Sequence, residues 1–395
     1  MKKFISLSLL GASTSLMAMY AEHAYLYKDP RIMGMGGTNI AIGSYASSVF
    51  SNPAGLANIK KEHGFVVDVL GLGISASKSA QDFMTDLQDA IDTEEDAEVA
   101  NVLKKYSGEH FHIGVDNYTS LSKNSDLFSW SIGLLAAADF NFMSHAQGSA
   151  NGGLLQTSSR VYGGVVFGVA KPYDTQIGRF DLGLGVKYIS QVSYEGVLGV
   201  SELLDEDEDN KLIDTLQDKY EKESSGFGVD LGVNYHPFAQ SFWKPTFGLS
   251  ILNIGSMKMD DAYGRQPMTV NVGASVTPDV SFVNKLVIGV DYVDLFNAYE
   301  TRVYNFSTTD KILYSDYEES DMIKRFRFGV SATLLDTALF ATTLNAGIYQ
   351  GAYTAGINLD LALFKFNFAT YEEEIGTGSA NISDRRYTAQ LTIGW

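Results

Sequence analysis

The segment Tyr387-Thr388-Ala389-Gln390-Leu391-Thr392-Ile393-Gly394-Trp395 closes the sequence with a strict period of two. Tyr, Ala, Leu, Ile and Trp alternate with Thr, Gln, Thr and Gly. Successive side chains of a strand point to opposite faces, so the pattern gives one apolar and one polar face. The alternation returns in Phe180 to Tyr188, where Asp181, Gly183, Gly185 and Lys187 take the polar face. It returns again in Phe227 to Tyr235, in Val270 to Val276 and in Phe326 to Leu334. The polar face is mostly Gly, Ser, Asn and Asp. Two all-β architectures produce such strands. One is a soluble sandwich with the apolar face inward; the other is a membrane barrel with that face on lipid, around a wet or loosely filled lumen. Periodicity alone leaves both open.

The spacing of the strands separates them. Strands are expected near 64–78, 109–121, 127–146, 154–172, 177–197, 225–238, 244–255, 268–279, 284–299, 324–336, 339–350, 352–363, 364–375 and 385–395. This is about fourteen, an even number as single-chain bacterial barrels require. Between Ile357 and Phe368 the apolar register slips by one residue, so a turn or bulge must lie there. Connections near 79–108, 200–224, 256–267, 300–323 and 376–384 are long. Those near 122–126, 173–176, 239–243, 279–283 and 336–338 are short. The link near 350–352 is the exception, short on the long-loop side. Long loops at one rim and short turns at the other mark an outer-membrane barrel, and a sandwich has no reason to keep that parity. Two long loops carry helical stripes: Phe83, Leu87, Ala90 and Ile91 with Val99, Val102, Leu103 and Tyr106, then Leu212, Ile213, Leu216 and Tyr220. Such stripes dock acidic helices on the rim.

Bulk properties agree. The 395 residues include no cysteine, which excludes disulfides, thiolate metal sites, a cysteine nucleophile and a lipidated N-terminal cysteine. The 29 basic and 47 acidic residues leave a charge of -18, which argues against a nucleic-acid partner. After the first twenty residues no continuous apolar run has transmembrane-helix length. Lys2 and Lys3, the apolar stretch Phe4 to Leu16 and small residues at Ala18 and Ala21 read as a cleavable export signal. The expected organisation is a signal peptide at 1–21, an N-terminal segment at 22–63 and a β-barrel at 64–395. The expected location is the cell outer membrane, reached by export.

Between signal and first strand stand Arg31-Ile32-Met33-Gly34-Met35-Gly36-Gly37-Thr38, Ala46 to Phe50, and Ser51-Asn52-Pro53-Ala54-Gly55-Leu56. Glycines permit close backbone approach, and Asn-Pro is a turn signal. This region resembles the N-terminus of the FadL-type superfamily of outer-membrane barrels. There the glycine stretch and the Asn-Pro-Ala motif belong to a plug inside a fourteen-strand barrel. The resemblance implies plug roles for Gly34, Gly36, Gly37, Asn52, Pro53 and Ala54. Its best-known members carry long-chain fatty acids or aromatic hydrocarbons. The acidic helical insert after the first strand, Ser224 to Gly232, Gly248 and Asn253 also resemble the branch labelled conjugal-transfer TraF-like. The final strand is similar to the signal read by the barrel-assembly machinery, with Tyr387, Leu391, Ile393 and Trp395 as its apolar positions.

Catalytic chemistry is not legible. Gly34-Met35-Gly36-Gly37 lacks the strand-helix unit of a dinucleotide site, and no Gly-x-Ser-x-Gly, phosphate-loop lysine or His-Glu-x-x-His occurs. His110 and His112 share a strand face but lack an evident third metal ligand. Asp205 to Asp209 resembles a calcium loop that fails, with Asn210 in the glycine position and Leu216 in that of the closing glutamate. No cofactor or metal is expected. Partners are outer-membrane lipid, the assembly machinery and a hydrophobic small molecule. The alternative is an assembly role with secretion or conjugation components. The lumen face shows glycine and small polar residues more clearly than an apolar pocket.

Overall fold

A computed structural model describes residues 22–60, 64–149, 152–204, 211–304, 312–318, 321–337, 339–376 and 381–394. The export signal, the acidic run 205–209 and Trp395 lie outside them. The strands are β1 Phe65–Ser77, β2 His110–Asn124, β3 Ser129–Ser149, β4 Gly152–Thr175, β5 Gly178–Gly199, β6 Glu221–His236, β7 Thr246–Leu252 and β8 Thr269–Val276. They continue with β9 Lys285–Tyr292, β10 Glu300–Tyr304, β11 Ile312–Glu318, β12 Phe326–Asp336, β13 Phe340–Tyr349, β14 Ala352–Leu361, β15 Phe364–Glu374 and β16 Ser383–Gly394. Fourteen of them pair with their neighbours into a closed antiparallel barrel, β16 meeting β1. The other two, β10 and β11, form a separate hairpin in the connection 300–323, where the sequence pattern predicts only a loop. Among the described residues no helix is long and apolar enough to cross a membrane.

The facing follows the alternation. Leu182 and Leu231 are exposed on the outside, with Val229, Val272 and Phe328 partly so. Asp181, Asp230, Asn271 and Arg327 are buried on the inside. An apolar outer wall of this kind is stable only in lipid. The register slip resolves as a two-residue turn, Ala362-Leu363, with Leu361 paired to Phe364 and Ala362 at φ 55°. β1 carries a bulge: pairing to β2 breaks between Asp68 and Leu72, and to β16 between Val69 and Leu72. Leu70 N, turned out of the ladder at φ 52°, donates to Thr119 Oγ1 at 3.2 Å.

The wall is not of even height. β3, β4 and β5 run 21, 24 and 22 residues, whereas β7, β8 and β9 run 7, 8 and 8. A spanning strand needs about 9–11 residues. The tall side therefore rises well beyond the bilayer, and helices clad it there. They are α2 Ala80–Asp92 and α3 Asp96–Lys105 between β1 and β2, with α4 Val200–Leu203 and α5 Lys211–Tyr220 between β5 and β6; α1 is Pro30–Gly34. The predicted stripe residues Phe83, Leu87, Ala90, Val99 and Leu103 bury against Phe111, Phe142, Leu155 and Leu198 of the wall. Phe83 stacks on Phe111 with ring centroids 3.9 Å apart. Phe111 shares the parity of Ile113 and Val115, so the helices cover the outer face of strands that have left the lipid.

Candidate functional site

The N-terminal segment packs inside the barrel, and its local structure comes from two proline-led turns. Asn52 caps the 3-10 turn Pro53–Asn58 by accepting Ala54 N at 3.0 Å, and Pro53 occupies the first position, where its missing N–H costs nothing. Asp29-Pro30 repeats the device at α1, Asp29 accepting Arg31 N at 3.0 Å. This second Asx-Pro pair carries the same sequence signal as the first, although the motif reading singles out only Asn52-Pro53.

Hydrogen bonds tie the segment to strands all round the lumen. Gly36 N donates to Thr354 Oγ1 at 3.0 Å on β14, and Thr354 Oγ1 donates to Gly34 O at 2.9 Å. Asn39 N and Ile40 N donate to one oxygen of Asp291 on β9, at 2.7 and 2.9 Å. Ser275 Oγ on β8 donates to Ala41 O, Asn124 Nδ2 on β2 to Ile59 O, and Tyr162 on β4 to Leu26 O. Gly36 sits at φ +67°, and a Cβ there would stand 2.8 Å from Ile348 O. Gly34 faces Gly356 of β14 so closely that an added Cβ would lie 2.9 Å from its Cα. Wall glycines 183, 232, 248, 329 and 347 likewise face backbone or side chains of the segment. The inward glycines, read from sequence as the mark of a loosely filled lumen, are where the segment and the wall touch.

Ions moor the start of the segment. Glu22 receives Arg386 of β16 through both oxygens, at 2.7 and 2.8 Å, and pairs with Lys28 at 3.0 Å. Lys28 also pairs with Glu373, and Arg386 with Asp384 at 2.7 Å. Burial alone would neutralise Glu22, but Arg386 and Lys28 outweigh it and hold its carboxyl well below the ordinary range. His23 stacks on Tyr299 at 3.9 Å; burial, reinforced by Arg327 and Lys324, pulls its imidazole down to about 3.

Between segment and wall lies a cavity of about 120 Å³. Its lining includes Tyr25, Tyr27 and Phe50 of the segment, Tyr299 and Tyr349, and the aliphatic Leu26, Ile32, Met33, Ile40, Leu252 and Val293, with Ser47, Ser51, Asn253, Gln266, Thr269 and Asn271 as neutral polar members. The charged groups at its edge are mostly committed elsewhere. Lys187 pairs with Asp230 at 2.9 Å, Asp29 with Arg31 at 2.6 Å, and Asp294 accepts Ala298 N and Tyr299 N. Arg327 lies 3.9 Å over the Tyr349 ring; its Nη1 donates to Lys324 O at 2.7 Å, while its buried Nη2 has no partner. The lining is more apolar than polar, and its unpartnered buried polar atoms are Arg327 Nη2 and Asn253 Oδ1. A smaller, polar cavity of about 60 Å³ lies beside Lys285, Ser331 and Thr343, and Ile32 borders both.

The sequence-predicted residues separate into two groups. Gly34, Gly36 and Gly37 lie against β12 to β14, whereas Asn52, Pro53 and Ala54 lie against β5 and β6. Tyr387 and Leu391 stand exposed on the outer face of β16, and Ile393 pairs with Val69 and Phe364 at the seam. The metal reading of the histidines finds each ring engaged: His110 Nδ1 lies 3.0 Å from Asp384, and His112 bonds Asn141 and Ser75, both at 2.8 Å. Among the described residues no group of three His, Asp or Glu could hold a metal. The aromatic cavity has no signature in the sequence, because its rings come from an aperiodic segment, a loop and a strand end.

The fold is that of a transmembrane β-barrel with a folded inner segment. Residues 49–292, more than half of the chain, match the family described as F plasmid transfer operon, TraF, protein, and the chain belongs to that family. No curated protein matches the sequence. Among solved structures, the Ralstonia pickettii toluene transporter TbuX is 14% identical with a TM-score of 0.53, covering 94% of this chain and 98% of its own. The Pseudomonas putida toluene transporter TodX is 12% identical with a TM-score of 0.53, covering 96% and 98%. The CymD monoaromatic hydrocarbon channel is 13% identical with a TM-score of 0.51, covering 94% and 98%. The likeness is one of fold, and at that level the resemblance to FadL-type barrels holds.

Proposed function

We propose that the protein is a passive outer-membrane transporter of small hydrophobic molecules of the aromatic or fatty-acid-like class. The observation that carries this is the aromatic-lined cavity of about 120 Å³ between the inner segment and the wall. Apolar cavities of about 150 Å³ accept benzene-sized guests. The toluene and monoaromatic channels that share the fold support the same class. In this reading residues 1–21 are removed on export, residues 22–63 form the plug, and residues 64–395 form the barrel. Gly34, Gly36 and Gly37 seat the plug on one wall, and Asn52, Pro53 and Ala54 seat it on another. Tyr387, Leu391, Ile393 and Trp395 serve as the assembly signal. An apolar solute needs a series of apolar contacts, not an open aqueous pore.

The test uses the full mature chain in a planar bilayer and a binding assay with toluene. The intact protein should conduct ions poorly, and deletion of residues 30–58 should open it. Large steady conductance of the intact protein would make it a general porin. A closed barrel that binds neither toluene nor a fatty acid would favour an assembly role, the reading that the family's transfer-operon description supports.

A further inference from the structure

The low side of the barrel ends in bare apolar loops. Ile254, Met268, Leu295, Phe296, Met322 and Ile323 are all exposed there, Phe296 at 73%. On the tall side, outward apolar residues beyond the bilayer are covered by helices, and Phe111 is 1% exposed. If the low rim stood in water, the same chain would treat one kind of surface in two opposite ways. Strand length gives the reason that it does not. β7, β8 and β9, at 7 or 8 residues, are shorter than the roughly 9–11 needed to span, so the residues flanking them, Ile254 and Leu295 at this rim and Phe242 and Phe282 at the other, come to the edges of the hydrocarbon band.

The loops are built for that position. Ile254 N donates to Val229 O and Leu295 N to Val270 O, both at 2.8 Å, so the loops prolong the ladders of outward-facing β6 and β8. Lipid-exposed irregular backbone is confined to the interface outside the hydrocarbon core, and near that boundary its polar groups need partners within the protein. Asp294 meets that need in the loop 293–299. Its N–H donates to Asn271 Oδ1 at 2.8 Å, its carboxylate takes Ala298 N and Tyr299 N, and its carbonyl takes Asn297 N at 3.1 Å. Val293, Asp294 and Tyr299 line the cavity, while Leu295 and Phe296 turn outward.

We propose that this low rim is an interaction surface for the outer leaflet, with Leu295 and Phe296 seated at the boundary of headgroups and acyl chains. Leaflet and cavity are then one loop apart. The chain has no cysteine, so a spin label placed on a single introduced cysteine reports one site. The variants are F296C and I323C, with L231C as a lipid-facing reference and Q88C on α2 as an aqueous one, all in vesicles of phosphatidylcholine and phosphatidylglycerol. Labels at 296 and 323 should collide with oxygen in preference to a water-soluble nickel complex, as at 231. A label at 296 that behaves as at 88, in protein that remains heat-modifiable, overturns the proposal. Should F296C not fold, the unsubstituted chain answers with a phosphatidylcholine carrying a photoreactive acyl chain. Adducts in 293–299 support the seat, and adducts confined to the strands overturn it.

Discussion

The tall wall, β3 to β5, and the low wall, β7 to β9, are made from the same alternating strands but solve different problems. The tall wall outruns the bilayer and must hide its outer apolar face from water, which helices α2 to α5 do. The low wall stops short and must gain apolar surface, which its loops supply. The cavity lies against the low wall, and the helical cladding lies away from it. The helical cladding and the aromatic-lined cavity thus sit in different sectors of one ring, and substitutions should tell them apart.

The largest effect is expected from Phe83→Ala, which empties a fully buried aromatic site in the cladding. It should cost about 3–5 kcal/mol of local stability. Proteolysis should then cut in α2 and α3 while the barrel stays heat-modifiable and toluene binding is unchanged. Loss of binding would show that the two sectors are coupled. Next is a paired comparison in urea or guanidinium unfolding. Leu231→Arg on the lipid face should cost about 2–4 kcal/mol, whereas Ile254→Arg on the low rim should cost about 0–1 kcal/mol. Equal costs would mean that both sites lie at one depth. Asp291→Ala strands two buried backbone donors at about 1–3 kcal/mol each, an effect that rivals that of Phe83→Ala. Hydrogen exchange should rise at residues 39 and 40 and not at α2. The smallest effect concerns pH. His23 is held neutral, with its folded value near 3 against an ordinary 6.5, so its contribution is present above about 6.5 and is lost as pH falls toward 3. Between pH 7 and pH 5 the mooring should weaken by about 2 kcal/mol, and His23→Phe should remove that dependence. A wild-type mooring indifferent to this change would mean that burial leaves the His23 imidazole at its ordinary value.

The barrel is legible because its rule is local. A period of two over Phe180 to Tyr188 or Val270 to Val276 fixes the face of every residue, and the parity of loop lengths fixes the topology. Stripes such as Phe83, Leu87 and Ala90 disclose the helices by the same logic at a different period. The site resists because it obeys no period. Tyr25, Tyr27 and Phe50 meet Tyr299 and Tyr349 only after the segment has folded into the lumen, across sequence distances that no window can join. Gly36 and Asn52 are legible as punctuation, but their partners, Thr354 and the strands β5 and β6, are not. The wall glycines are visible in the pattern yet suggest the wrong filling, since a missing side chain looks the same whether water or another backbone takes its place. β10 and β11 escape because a short hairpin within a long connection adds little alternation.

The bidentate contact between Glu22 and Arg386 joins the start of the inner segment to the last strand. It sets an order of events on the making of the molecule. The segment is synthesised before any strand, yet its mooring exists only after β16 has arrived and paired with β1. The strand that shuts the ring against β1 is thus also the one that moors its contents. Contacts this distant along the chain are the slowest to form. The interior therefore cannot be moored at Glu22 before the closing strand has arrived.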